Sequence, residues 1–173
     1  MEVGVTTLAL SIGSNINAEA NIRSALNELA AEFGELRCSN TYESIAVGFE
    51  GDNFLNLVVL LESGKSLQET AAFLKHLEDK LGRDRKQARF SGRTMDIDIL
   101  LYGDKEGIED GIELPRPEIT ENAFVLQPLT ELLPDEVHPL TGLSYQQLWQ
   151  NYDKNKQQLW PVEVSWFQEK AAC

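Results

Sequence analysis

Arg93-Thr94-Met95-Asp96-Ile97-Asp98-Ile99-Leu100-Leu101 alternates apolar and polar residues from Met95 to Ile99. That is the period of a β-strand, in which successive side chains point to opposite faces. Met95, Ile97, Ile99 and Leu101 then face a core. Asp96 and Asp98 stand together on the other face, their α-carbons about 7 Å apart at a rise of ~3.3 Å per residue. Aspartate is disfavoured in strands, and two carboxylates this close raise one another's pKa unless a cation intervenes. Hard oxygen donors at this spacing suit Mg²⁺ shared with substrate phosphates; a solvated pair on an open sheet face is the plainer alternative. Five of the fifteen cationic residues (Arg83, Arg85, Lys86, Arg89 and Arg93) fall within residues 83–93. Cations therefore gather beside the acids, as phosphoryl-transfer chemistry requires.

Outward from this strand, the pattern predicts one folding unit. Thr6 to Ile12 alternates as a strand and ends in the turn Gly13-Ser14-Asn15. Ile22, Leu26, Leu29 and Phe33 give one apolar helical face over residues 18–33, stopped by Gly34. Leu36 to Tyr42 reads as a strand, residues 47–52 as a loop, and Phe54 to Leu61 as a buried strand. Ser66-x-x-Glu69 is a capping box that opens a second helix with Ala71, Leu74, Leu77 and Leu81 on one side. After the strand ending at Tyr102 come a hairpin-like stretch to Glu113, a loop marked by Pro115 and Pro117, a short helix near 144–152 and an edge strand over 162–166. The order β-α-β-β-α-β predicts an α+β fold, a ferredoxin-like βαββαβ core with one mostly antiparallel sheet and helices on one face, plus C-terminal additions.

Composition narrows the function. The 173 residues are 42% hydrophobic and 25% charged, as in ordinary globular proteins. Fifteen Lys+Arg against 28 Asp+Glu leave a net charge of −13, which disfavours nucleic acid and anionic membrane as partners. No apolar run approaches the ~20 residues of a membrane span, and the first residues lack the basic start of a signal peptide. Cys38 and Cys173 are the only cysteines, usage that suits a reducing cytoplasm. Neither histidine stands near the acids: His76 reads as a helix-surface residue and His138 as structural. Nothing resembles a P-loop, because Gly-Lys-Ser/Thr does not follow Gly13.

Gly82-Arg83-x-Arg85 followed by Arg93-Thr94-x-Asp96-x-Asp98-Ile99-Leu100-Leu101-Tyr102-Gly103 resembles the signature of the 6-hydroxymethyl-7,8-dihydropterin pyrophosphokinase family of folate biosynthesis. Gly13-Ser14-Asn15, Phe54-Leu55-Asn56 and Phe124-Val125-Leu126-x-Pro128-Leu129 agree in order and spacing, and the likeness covers about residues 5–140. It implies transfer of the β,γ-diphosphate of ATP to the pterin hydroxymethyl oxygen, with release of AMP. By the same resemblance Asp96 and Asp98 hold two Mg²⁺ ions, and Arg83 and Arg93 contact phosphate from a loop. Phe54 and Phe124 sandwich the pterin, Asn56, Ser44 and the backbone of Val47 meet its edge, and Glu78, Arg85 and Ile99 line the ATP site. The chain is expected to be one domain over 1–173, with residues 141–173 an extension, and to act as a cytoplasmic monomer on small-molecule substrates.

The chain departs from the family pattern at the phosphate-binding periphery. Where the family has Pro-His, it reads Pro115-Arg116-Pro117, so Arg116 takes the histidine's place as an ATP contact. Asn122 replaces a common phosphate-contacting arginine. The loop Ser44 to Gly48 lacks the usual prolines, Phe90 stands in a tryptophan position, and Gly92 replaces a proline. Two other readings stay open at this level: a diverged paralogue that binds pterin or nucleotide without turnover, and a ferredoxin-like interaction module without a ligand.

Overall fold

The computed structural model describes residues 5–44, 53–82 and 95–162. Among the described residues the main sheet is six-stranded, and every pairing in it is antiparallel. β1 (Thr6–Ser14) runs down the middle between β5 (Asp96–Tyr102) and β4 (Phe54–Ser63). β3 (Thr41–Ser44) lies beyond β4, and β8 (Leu159–Val162) closes the far edge, giving the order β5-β1-β4-β3-β8. The expected single strand over 36–42 is divided. β2 (Arg37–Cys38) also pairs with β4, and Ser39 breaks the run by placing its own hydroxyl where the Val58 N–H finds an acceptor, at 2.9 Å.

One face of the sheet carries α1 (Ala18–Phe33) and α2 (Leu67–Gly82). Leu8, Leu10, Ile12, Leu57, Val59, Ile97 and Ile99 point at them and meet Ile22, Leu26, Leu29, Leu74 and Leu77. Burying each such side chain contributes about 1.5–3 kcal/mol. Local chemistry sets both helices. Asn17 takes a left-handed conformation ahead of α1, which Asn tolerates, and Gly34 at φ 88 ends it. The Ser66–Glu69 capping box forms in both directions, each bond 3.1 Å long.

The opposite face is covered too, which corrects the expectation of helices on one side. α3 (Glu118–Glu121), α4 (Ala123–Leu132) and α5 (Tyr145–Asn151) lie there, and Val125, Leu126, Leu129 and Tyr145 pack on Ala9, Val58 and Leu60. α4 is hard to read locally because Pro128 sits inside it and supplies no N–H to the Phe124 carbonyl. A second correction concerns Leu101. The register shifts between Ala9 and Leu10, so Ala9 faces Leu101 while Leu10 faces Ile99. Leu100 is the extra residue, and beyond it the alternation reverses. Leu101 therefore joins the second core and not the first.

β6 (Gly107–Glu109) and β7 (Ile112–Leu114) form the hairpin anticipated before Glu113, turned through Asp110 and Gly111, both at positive φ. No described helix is long and apolar enough to cross a membrane. Although the cysteine usage suggested a compartment in which disulfides are rare, Cys38 is disulfide-bonded; Cys173 lies outside the described residues.

Candidate active site

The C-terminal end of β1 organises the site. Gly13 is in register with Asp96 on one side and Asn56 on the other, and Asn56 is in turn opposite Tyr42. One row further along, Ser11 separates Asp98 from Val58. Residues opposite one another in an antiparallel sheet present their side chains to the same face. Asp96, Asp98 and Asn56 thus share the face on which α4 packs, and Gly13, having no side chain, leaves room for the Asn56 amide to lie over it. The two aspartates lie on one face, as the alternation predicts, and both are partly exposed.

Asn56 is 5% exposed, and its amide donates to the Ser44 hydroxyl at 3.3 Å. Ser44 is paired with Phe54, the first residue of β4, which lies on the same face as Asn56 two positions away. Phe124 is the second residue of α4 and packs at the margin of the second core. α4 is held to this side of the sheet by Glu131, whose carboxylate accepts from the Asn40 N–H at 2.8 Å and the Tyr42 hydroxyl at 2.9 Å. Burial and this carboxylate push the Tyr42 pKa up to about 12.

The acids are bounded by further charge. Arg116 Nη2 lies 3.4 Å from Asp98 Oδ1, and its Nε lies 2.7 Å from Glu118 Oε2. The Arg116 N–H donates to the Leu100 carbonyl at 3.0 Å, tying this loop to β5. Glu78 reaches across from α2 to accept the Ile97 N–H at 2.8 Å. Among the described residues β5 is an edge strand, so no described strand supplies an acceptor for that N–H. Burial raises the Glu78 pKa from 4.5 to about 7; the Ile97 hydrogen bond opposes this, while Asp96 and Asp98 add to it. Ile99 is 5% exposed and belongs to the first core.

Asp96, Asp98, Asn56, Ser44 and Phe54 are therefore gathered around the end of one sheet, with Arg116 and Glu78 at the acids. Arg83, Arg85, Arg93 and Val47 lie outside the described residues, as do Phe90 and Gly92. Sequence reasoning assigned no role to Gly13, Glu118 or Glu131. Gly13 had a signal, a glycine at the end of the first strand's pattern, although the strand runs on through it to Ser14. Glu131 had none, because Asn40 and Tyr42 are distant in the chain, whereas the partner of Glu118 is Arg116, two residues away.

The sequence model of the 7,8-dihydro-6-hydroxymethylpterin-pyrophosphokinase family matches residues 9–134. A 2-amino-4-hydroxy-6-hydroxymethyldihydropteridine pyrophosphokinase from Synechocystis is 35% identical over 156 residues, covering 88% of this chain and 78% of the relative. One from Aquifex aeolicus is 33% identical over 138 residues, 79% of this chain and 86% of the relative. The crystal structure of wild-type Plasmodium falciparum HPPK-DHPS with pterin and p-hydroxybenzoate superposes with a TM-score of 0.69 over 88% of this chain and 42% of that one. At 14% identity that likeness concerns the fold.

Proposed function

The chain belongs to the 7,8-dihydro-6-hydroxymethylpterin-pyrophosphokinase family, and on that premise we propose that its acid-lined sheet end is where the diphosphate of ATP passes to the hydroxymethyl group of 6-hydroxymethyl-7,8-dihydropterin, releasing AMP, in folate biosynthesis. The observation that carries this reading is the row Asp96–Gly13–Asn56, which sets a carboxylate and a buried amide on either side of a residue with no side chain.

Asn56 and Ser44 offer an amide and a hydroxyl, matching the donors and acceptors on a pterin edge. Phe54 and Phe124 supply apolar ring faces for a flat heterocycle. Asp96 and Asp98 are two hard oxygen donors on one face, the donor set that Mg²⁺ takes when phosphates complete its shell. When bound, Mg²⁺ would neutralise charge on the transferring phosphates and align them for attack. Arg116, with Arg83 and Arg93 from the cation-rich segment, would offer planar donors to the same phosphates, and Glu78, Arg85 and Ile99 would border the nucleotide. The chain's own contribution is positioning and electrostatics, with no covalent intermediate on a side chain.

The ferredoxin-like description of the core is part of this reading; its support is the sheet order β5-β1-β4-β3 with α1 and α2 between successive strands on one face. So are the two-ion site, the single domain and the cytoplasmic monomer. The non-catalytic alternative draws no support from relatives named as pyrophosphokinases. AMP formation from ATP, Mg²⁺ and the dihydropterin is the direct test, with Asp96→Ala as the control. Pterin-dependent AMP that disappears in Asp96→Ala is expected; none from folded wild type rejects the reading.

A further inference from the structure

We propose that Gln157, in the C-terminal extension, is a positioning residue that fixes the Phe124-bearing helix against the pterin-binding face. The proposal rests on the reading of that face given above.

The extension returns to the site in two places. β8 pairs with β3, setting Leu159 opposite Ser44 and Pro161 opposite Tyr42. Just before β8, Gln157 turns to the start of α4. Its Oε1 accepts from the Ala123 N–H at 2.8 Å, and its Nε2 donates to Asn122 Oδ1 at 2.9 Å. Ala123 is the first residue of α4, so its N–H is one of the four at a helix start that find no acceptor within the helix. Asn122 stands at the capping position but its side chain caps nothing; it bonds to Gln157. A residue 34 positions further along the chain thus does the work of an N-cap. Tyr152 reinforces the junction, its hydroxyl donating to the Glu121 carbonyl at 2.8 Å.

The two walls joined in this way carry different parts of the site. β3 presents Ser44, which holds Asn56; α4 presents Phe124, one residue after the N–H that Gln157 accepts. The link also explains what Asn122 does in place of the arginine common in the family. It is a fixed part of the pterin wall and no longer a phosphate contact. Gln157 lies beyond the residues 9–134 that the family model matches.

The test is calorimetric binding of 6-hydroxymethyl-7,8-dihydropterin in the presence of Mg²⁺ and a non-hydrolysable ATP analogue, alongside steady-state constants for both substrates. Gln157→Ala should weaken pterin binding about three- to tenfold, the scale of a lost hydrogen-bond pair. KM for ATP and kcat at saturating pterin should stay within about twofold, because only substrate placement is affected. Gln157→Glu keeps the acceptor for the Ala123 N–H, and Asn122 can turn its amide to donate, so most of the affinity should return. In the Gln157→Ala background, Asn122→Ala should add nothing further.

Unchanged pterin affinity in Gln157→Ala overturns the proposal, as does a loss in which the ATP constant and kcat move in step with it. Should Gln157→Ala not fold, Asn122→Ala against Gln157→Glu carries the same comparison: selective pterin weakening in the first supports the role, and equality with wild type refutes it. Wild type that binds pterin but forms no AMP would reject the reaction while the binding series still decides the role of Gln157. Wild type that binds no pterin overturns both.

Discussion

Gly13 faces Asn56 across the β1–β4 ladder so closely that a β-carbon on residue 13 would lie 2.5 Å from the Asn56 Oδ1. No side chain fits there while that amide keeps its place. Gly13→Ala should therefore rotate Asn56 out of its bond with Ser44 and raise the KM for pterin about tenfold, roughly 1.4 kcal/mol. The KM for ATP should change little. Substrate constants measured separately decide it: a pterin KM within twofold of wild type would show that Asn56 does not read the pterin edge.

Asp96 and Asp98 are one unit if they hold Mg²⁺ together. Asp96→Asn and Asp98→Asn should each lower kcat/KM by about 10²-fold or more, the scale of lost charge stabilisation at a transferring group. The double variant should fall well short of the product of the two. Strict multiplication of the two losses would mean independent roles.

Arg116 would compete with Mg²⁺ for Asp98 if the two aspartates hold the ion, its guanidinium lying 3.4 Å from that carboxylate. Both groups are partly exposed, so the pair is worth at most about 1 kcal/mol. Arg116→Ala should let Mg²⁺ half-saturate at a concentration up to about fivefold lower while the KM for ATP rises. A Mg²⁺ titration in which both constants worsen would contradict this.

Glu78 titrates near neutrality, its carboxyl raised from 4.5 to about 7 chiefly by burial. An acid whose folded pKa is raised contributes most below the unfolded pKa, and stability declines as pH climbs from 4.5 to about 7. Glu78→Gln retains an oxygen for the Ile97 N–H but cannot ionise. In chelator-treated protein the thermal midpoint of the variant should gain on wild type across that window and run parallel above it. Parallel curves throughout would place the ionisation elsewhere.

His138 gives the opposite slope. It is 4% exposed, its pKa is lowered by burial, and its Nδ1 accepts from the N–H groups of Leu140 and Thr141 at 3.2 and 3.3 Å. The folded state favours the neutral ring, so its contribution is complete above the unfolded pKa of 6.5 and is lost as pH falls below it. His138→Asn offers an acceptor without a titration, and its unfolding free energy should fall less than that of wild type between pH 7 and 5, a window chosen around the ~6.5 of free histidine. Equal losses would show that His138 is not the group responsible.

Features that depend on neighbours a few residues apart were legible in the chain alone. A strand has a period of two, so Met95 to Asp98 was enough to put both aspartates on one face. The Ser66–Glu69 box and Gly34 are likewise chemistry within a single turn. Tertiary structure decided the rest. The extra residue at Leu100 sends Leu101 to the other core only because β5 must keep register with β1 on both sides of it. Residues 123–132 become a helix despite Pro128 because their apolar side finds the second face of the sheet. Glu78 meets Ile97, Glu131 meets Tyr42 and Gln157 meets Asn122 at separations of 19, 89 and 35 residues. Such bonds leave no trace in local pattern, since each partner is an ordinary polar residue until the packing of the sheet brings the two together.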